Sequence, residues 1–294
     1  MGASNNIRRK VIKSRNKANK VLIPSFFVDF PLLGREVFYA GVRKFESSRF
    51  KFVVENPLTP LAYKVFLVAL HYERVSLIDV AWRIGLNPED RNYHRDVLRA
   101  VERIRKCSFT FTASRSNLLK FFPGTKLDDV GEEGDENETF VKRSFLISGT
   151  LLRFWRKRRA IWIEHSQTVK SLLKTSPKFY EIDFNDLKYL SNRNVEEMLT
   201  YLLAVKRNNR RPPLTLNKKF LLAYYLSASM ELLENYPKEK ALTKRKLVEK
   251  VFKSVQYSLK KLYKLGIIGK YSYEKGKIKV GNYHSNWFEK IVIA

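Results

Sequence analysis

Between Pro57 and Lys106 the apolar positions keep a helical period. Thr59-Pro60 predicts an N-cap followed by a proline in the first turn. Ala62, Val65, Phe66, Ala69 and Leu70 follow at the i, i+3, i+4, i+7, i+8 spacing of a buried helix face. Ser76 predicts the cap of a second, short helix over Leu77 to Ile84, stopped by Gly85. After the turn-forming Asn87-Pro88-Glu89-Asp90, a third helix is expected over roughly Arg91 to Lys106. On a helical wheel Arg91, Arg95, Arg99 and Arg103 share one side of it, and Tyr93, Val97, Leu98, Val101 and Ile104 share the other. Ser108 to Thr112 alternates as a strand does, and Thr139 to Ile147 reads as a second strand. Three helices followed by a β-hairpin are the element order of a winged helix, a helix-turn-helix variant that places its third helix in the major groove.

A second pattern of this kind closes the chain. Leu247, Val248, Val251, Phe252, Val255, Leu259, Leu262 and Tyr263 fall on one side of the wheel. Lys246, Lys250, Lys253, Tyr257, Lys260, Lys261 and Lys264 fall on the other. A turn near Phe252–Lys253 is expected to divide this stretch into the two helices of a helix-turn-helix, and Gly266 to end it. Ile267 to Tyr273 and Lys277 to Val280 then read as strands joined by a tight turn at Glu274-Lys275-Gly276. Upstream lie a predicted strand, Phe179 to Asp183, and predicted helices over Asn194 to Lys206 and Leu216 to Glu234. The fold class expected is α+β, mainly α: two winged-helix domains in tandem with small antiparallel β-hairpins. Residues 1–21 form a flexible basic arm, 22–175 the first domain with an acidic loop at 128–138, and 176–294 the second, with the junction near Thr175-Ser176-Pro177.

Charge turns this architecture toward a ligand class. The 294 residues hold 57 Lys and Arg against 29 Asp and Glu, a formal net charge of +28. That excess fits a polyanionic partner, nucleic acid or an anionic membrane, better than a small-molecule substrate. Residues 128–138 (DDVGEEGDENE) contain seven acids and no base, so the rest of the chain is more basic than the total suggests. The segment from 242 to 279 alone holds twelve bases and two acids. The cluster Arg153-Phe154-Trp155-Arg156-Lys157-Arg158-Arg159 lies between two strand-like stretches and is expected at a hairpin tip or strand end, where Arg156, Lys157, Arg158 and Arg159 meet phosphate.

Other chemistries are not indicated. Cys107 is the only cysteine, which excludes an intramolecular disulfide framework or a cysteine-rich zinc site and points to a reducing compartment. His71, His94, His165 and His284 have no metal-binding spacing. Gly124-Thr125-Lys126 lacks the upstream glycine of a phosphate-binding loop, and His71-Tyr72-Glu73-Arg74 matches the HxxR box of tyrosine recombinases only in isolation, at the end of a predicted first helix. No catalytic residue, metal or cofactor is expected. The apolar run Phe220 to Leu226 falls far short of the roughly 20 residues that span a bilayer, and no signal peptide is read. No membrane association is expected, and the location expected is cytoplasmic, on nucleoid or plasmid DNA.

DNA-contacting residues follow from the two basic faces. Arg91, Arg95, Arg99 and Arg103 carry guanidinium forks that bind phosphate or guanine O6/N7. Lys253, Lys260, Lys261 and Lys264 supply charge from the later helix, and Lys275 and Lys277 from the hairpin after it. Gln256 offers an adenine-reading amide, and Tyr257 a ring for sugar or a thymine methyl. A structural role is the alternative for both.

Leu58-Thr59-Pro60-Leu61-Ala62-Tyr63-Lys64-Val65-Phe66, Arg91 to Phe111, Phe179-Tyr180-Glu181-Ile182-Asp183 through Leu190-Ser191-Asn192, and Met198-Leu199-Thr200-Tyr201-Leu202 together resemble plasmid replication initiators of the iteron-binding type. The resemblance covers roughly residues 50–280 by pattern. It implies a monomer bound to repeated origin sequences, melting of adjacent DNA, recruitment of host helicase and replication proteins, and a homodimer through the first domain that represses its own promoter. The acidic insertion and the RFWRKRR cluster depart from that pattern. A winged-helix transcriptional regulator bound to an operator, or a recombination accessory protein, would use the same modules.

Overall fold

The computed structural model describes residues 20–34, 42–47, 50–72, 74–90, 92–113, 131–132, 139–144, 152–155, 158–162, 173–174, 176–208 and 212–294. The chain forms two compact units: residues 1–43 with 47–193, and residues 194–294 with 44–46. Helices combine with small antiparallel sheets in both, an α+β architecture.

The first unit opens with β1 (Lys20–Pro24), α1 (Phe26–Asp29), β2 (Val42–Ser47, of which 44–46 group with the second unit) and β3 (Phe50–Glu55). Next come α2 (Pro60–His71), β4 (Arg74–Ser76), α3 (Leu77–Ile84) and α4 (Tyr93–Lys106). β5 (Ser108–Ala113), β6 (Gly131–Glu132), β7 (Thr139–Ser144), β8 (Leu152–Trp155), β9 (Arg158–Trp162), β10 (Phe179–Asp183) and α5 (Phe184–Tyr189) complete it. The expected caps form. Thr59 Oγ1 accepts from the Ala62 N–H at 3.3 Å, and Ser76 Oγ accepts from the Asp79 N–H at 3.0 Å. Gly85 ends α3 at φ +76°, and a Cβ there would lie 2.6 Å from the Lys188 carbonyl oxygen, so glycine is required for both conformation and space.

Two sheets flank these helices. β5 and β7 pair as expected from sequence, but within a five-stranded sheet of order β2-β3-β5-β7-β6, and not as the hairpin beside the three helices. That place is taken by β8 and β9, in a sheet of order β4-β9-β8. Phe26 anchors the larger sheet: its ring centroid lies 5.2–5.9 Å from those of Phe30, Phe52, Phe109 and Phe111. The acidic segment is not wholly a loop, because Gly131 and Glu132 pair with Phe140 and Thr139. Its other residues lie outside the described ones, as do residues 1–19 of the basic arm. Lys20, the last base of that arm, stands in β1 with its Nζ 2.6 Å from Glu181 Oε1.

The junction expected near Thr175-Ser176-Pro177 falls instead after Arg193. β10 pairs antiparallel with β1 from Lys20↔Asp183 to Pro24↔Phe179, burying Val21, Ile23, Tyr180 and Ile182. A second tie is Lys64, fully buried on α2. Its ammonium donates to the carbonyls of Ile84 (3.2 Å) and Leu190 (2.6 Å) and to Asn192 Oδ1 (2.7 Å).

The second unit contains α6 (Val195–Asn208), β11 (Leu214–Asn217) and α7 (Lys218–Leu221), which continues as a π-helical turn over Leu222–Leu226. α8 (Met230–Glu234), α9 (Lys238–Lys264), β12 (Tyr271–Val280) and β13 (Tyr283–Ile293) follow. Its sheet has the order β11-β13-β12. Three expectations change here. The helix predicted over Leu216 to Glu234 begins as a strand, is capped by Asn217 Oδ1 on the Phe220 N–H, and breaks at Ser227 with φ +50°. The helix-turn-helix break near Phe252 is absent: α9 is one helix of 27 residues, about 40 Å long. Its buried positions, Ala241, Lys244, Val248, Val251, Phe252, Val255, Leu259 and Leu262, keep a single register that a turn would disrupt. Finally, Glu274-Lys275-Gly276 is no turn. β12 runs through it, with Glu289 of β13 left unpaired opposite the Glu274–Lys275 step, and the hairpin reverses at Gly281-Asn282. Gly281 has φ +54° and Asn282 has no positive φ, as in a type II′ turn.

Two outcomes check this account of the first unit. Lys64→Met removes the donor from two buried carbonyls and the half-buried Asn192 side chain and is expected to cost about 1–3 kcal/mol, read by urea denaturation. Burial pushes the Cys107 thiol up to about 12, against a smaller opposing effect of Arg103. Native protein is therefore expected to resist thiol reagents near pH 8 and to react fully once unfolded.

Candidate nucleic-acid interface

The basic face of the second unit is a ridge on α9. Lys246, Lys250, Lys253, Tyr257, Lys260 and Lys264 are all exposed, and their spacing of four, three, four, three and four residues places them in one line. The line spans about 27 Å at the rise of an α-helix. Tyr257 is 61% exposed in the middle of it. Lys246 and Lys250 were on the polar side of the sequence wheel but not among the expected contacts; the ridge geometry adds them. Lys275 and Lys277 are exposed on β12, and the Lys277 carbonyl accepts from Lys218 Nζ at 2.8 Å. Lys279 is exposed two positions on and pairs across the hairpin with the exposed His284. The alternation of Ile278 and Val280 was the signal for it.

Two expected contacts on α9 are held by the protein. Lys261 Nζ lies 2.6 Å from Oε1 of Glu197, whose side chain is 2% exposed. Gln256 Nε2 donates to Tyr273 Oη at 3.0 Å. Nearby, the Ser254 hydroxyl lies 3.1 Å from both Asn194 Oδ1 and Glu196 Oε2, and Ser258 Oγ donates to the Ser254 carbonyl at 2.7 Å. Lys261 and Ser254 thereby bind α9 to the start of α6. Lys244 is also on the inner side: burial pulls its ammonium below its usual value, and it lies 5.1 Å from the centroid of the Tyr236 ring.

In the first unit α4 buries Val97, Ala100, Val101 and Ile104 and leaves Arg95 and Arg99 exposed, one turn apart. Among the described residues neither has an ion-pair partner. Arg103 sits at the edge of the buried face and turns inward, donating through Nε and Nη2 to the Pro57 carbonyl, each at 3.0 Å. Arg105 and Lys106 reach Glu102 at 3.6 and 3.8 Å. Arg91 lies outside the described residues. β8 and β9 pair from Leu152↔Ile161 to Trp155↔Arg158, and Arg158 and Arg159 open β9; Arg156 and Lys157 lie outside the described residues.

Among the described residues no group of His, Cys, Asp and Glu is arranged to hold a metal ion, and no helix is long and apolar enough to cross a membrane. His71, from the HxxR box, is buried against Tyr72 and Phe184, with ring centroids at 4.5 and 6.0 Å.

No protein-family model and no curated protein matches the chain. Among solved structures it is similar to RctB. The crystal structure of RctB domains 2-3 (RctB-155-483) matches with a TM-score of 0.45 and 10% identity, over 86% of this chain and 91% of that one. Crystals of selenomethionine derivatives of domain 2 and domain 3 of RctB match with a TM-score of 0.44 and 11% identity, over 93% and 98%. The likeness assigns no role to any residue.

The ion pair and the ridge separate by stability. Lys261→Met leaves Glu197 buried without its ammonium and is expected to destabilise the second unit by about 1.5–3 kcal/mol. Lys253→Ala on the open ridge is expected to change stability by less than about 0.5 kcal/mol. Urea denaturation of the two variants distinguishes them.

Proposed function

We propose that the chain binds duplex DNA in a sequence-specific manner through two winged helices, as a replication initiator does at origin repeats. The observation that carries this reading is a wiring that occurs twice. The first unit runs α2, β4, α3, α4, β8, β9, with β5, β6 and β7 of the five-stranded sheet inserted after α4. The second runs α6, β11, α7, α9, β12, β13, with the short α8 inserted before α9. Each closes a three-stranded antiparallel sheet in which the first strand pairs with the last and the last with the one before it. Such a sheet, with one strand after the first of three helices and two after the third, is the frame of a winged helix.

Charge supports the same reading. In each unit the helix that stands third in the frame, α4 or α9, exposes cations and packs its apolar side inward. The segments that resemble iteron-binding initiators supply the replication half of the proposal. A homodimer through the first unit and docking of host helicase rest on that resemblance alone. The role assigned is binding, with no catalytic step, and it places the protein on plasmid or nucleoid DNA.

Footprinting of the full chain on DNA flanking its own gene tests the proposal. Tandem direct repeats, each protected separately, are the expected result. A single protected palindrome would make the protein a transcriptional regulator, and no protection at about 0.1 M salt, where duplex contacts still hold, would refute DNA binding.

A further inference from the structure

We propose that the two units divide the work on DNA: α4 of the first unit reads base edges, and α9 of the second grips phosphates without sequence preference. This rests on the duplex-binding reading above and concerns how that binding is built.

The chemistry of the α9 ridge is narrow. Five of its six positions are lysines, and an ammonium is a compact point charge without the fork that distinguishes one base pair from another. Base discrimination in the major groove relies on paired donor and acceptor groups, as in Arg on guanine or Asn and Gln on adenine. The amide on this side of α9, Gln256, has its NH2 group on Tyr273. The hydroxyls of Ser254 and Ser258 face Asn194, Glu196 and the helix backbone. Tyr257 remains, with a single hydroxyl and a ring that meets sugar or a methyl group without a two-point pattern. A line of five cations about 27 Å long, with Tyr257 in its middle, suits a run of phosphates better than the short base-reading segment of a recognition helix.

The first unit has the complementary equipment. Arg95 and Arg99 lie in the N-terminal half of α4, the half that meets base edges in a helix-turn-helix. Both forks are exposed. Of the neighbouring cations on that helix, Arg103 is held on the Pro57 carbonyl, and the exposed Arg105 and Lys106 stand in its last turn, 3.6 and 3.8 Å from Glu102. Guanidiniums four residues apart on a helix are about 5–6 Å apart at Cβ, within reach of neighbouring base pairs. The target class that follows is a duplex with closely spaced guanines, each engaged through O6 and N7.

The test uses the full chain, a duplex enriched by the wild type from a random pool, and a mixed-sequence duplex of equal length. Fluorescence anisotropy over a salt series gives the affinity ratio between the two duplexes and the salt slope on each. Replacing Lys253, Lys260 and Lys264 by alanine is expected to weaken both duplexes alike, lower the slope by about 2–3 and leave the ratio unchanged. Arg95→Lys with Arg99→Lys keeps the charge, so the slope is expected to hold while the ratio falls at least about tenfold. All five side chains are exposed, and matching circular dichroism and melting temperature confirm intact folds.

A ratio that falls with the lysine variant, or survives in the Arg→Lys variant, overturns the division. So does wild-type binding to duplex without any enriched sequence, which leaves duplex binding itself standing. Absence of salt-dependent duplex binding by the wild type overturns the underlying reading and this inference with it.

Discussion

The ammonium of Lys64 is the constraint around which the first unit is organised. A cation removed from water must have its donors met, and here three acceptors converge on it: the carbonyls of Ile84 and Leu190 and the side chain of Asn192. Ile84 is the last residue of α3 and Leu190 follows α5, so both carbonyls are the electron-rich ends of helices, where a cation is favoured. Segments more than a hundred residues apart are thereby held to α2. The β1–β10 pair and the fit of Gly85 against the Lys188 carbonyl reinforce the arrangement. The position of α4, and hence the direction of Arg95 and Arg99, is set on this frame.

Net charge alone does not describe how such a protein uses its cations. Lys64, Lys244, Lys261 and Arg103 are committed to the fold, as a buried hub, a cation beside a ring, a partner for a buried carboxylate and a clamp on a carbonyl. By contrast Tyr257 and Lys264, beside Lys261, and Arg99 and Lys106, beside Arg103, stay in solvent. A helix wheel sorts residues by angle and cannot see the acceptor that draws one long side chain inward. Burial of Glu197 decides the fate of Lys261, and Glu197 is sixty-four positions away in sequence.

The parts of the fold legible in sequence were those fixed by local chemistry. Thr59-Pro60, Ser76 and Gly85 mark helix ends through their own hydroxyls, ring and φ, and the helices start and stop there. Less visible were features decided by distant partners. The run Phe220 to Leu226 is apolar on every side, so it carries no period from which its π turn could be read. In β13 the adjacent Trp287 and Phe288 are both buried, which breaks the alternation that announces a strand. The domain boundary was misplaced because Ser176-Pro177 has the composition of a linker, whereas the pairing of β10 with β1 is a tertiary fact. Of the expected contacts, Arg95, Arg99, Lys253, Tyr257, Lys260, Lys264, Lys275 and Lys277 stand in solvent, whereas Arg103, Gln256 and Lys261 donate to acceptors within the protein that the wheel does not show.

The turn at Gly281 has a consequence for how this protein can vary. Hairpin tips usually tolerate inserted residues because they end in solvent. Here the Gly281 N–H donates to the Leu233 carbonyl at 2.9 Å, and a Cβ would lie 2.7 Å from that of Ala241. The tip is a clasp on the first turn of α9. Length changes in the hairpin are therefore channelled to the bulge opposite Glu274–Lys275, which already absorbs one irregularity in register. A length change there shifts Tyr271 to Glu274 on the open side and leaves Lys275 and Lys277, on the tip side, in place beside the helix.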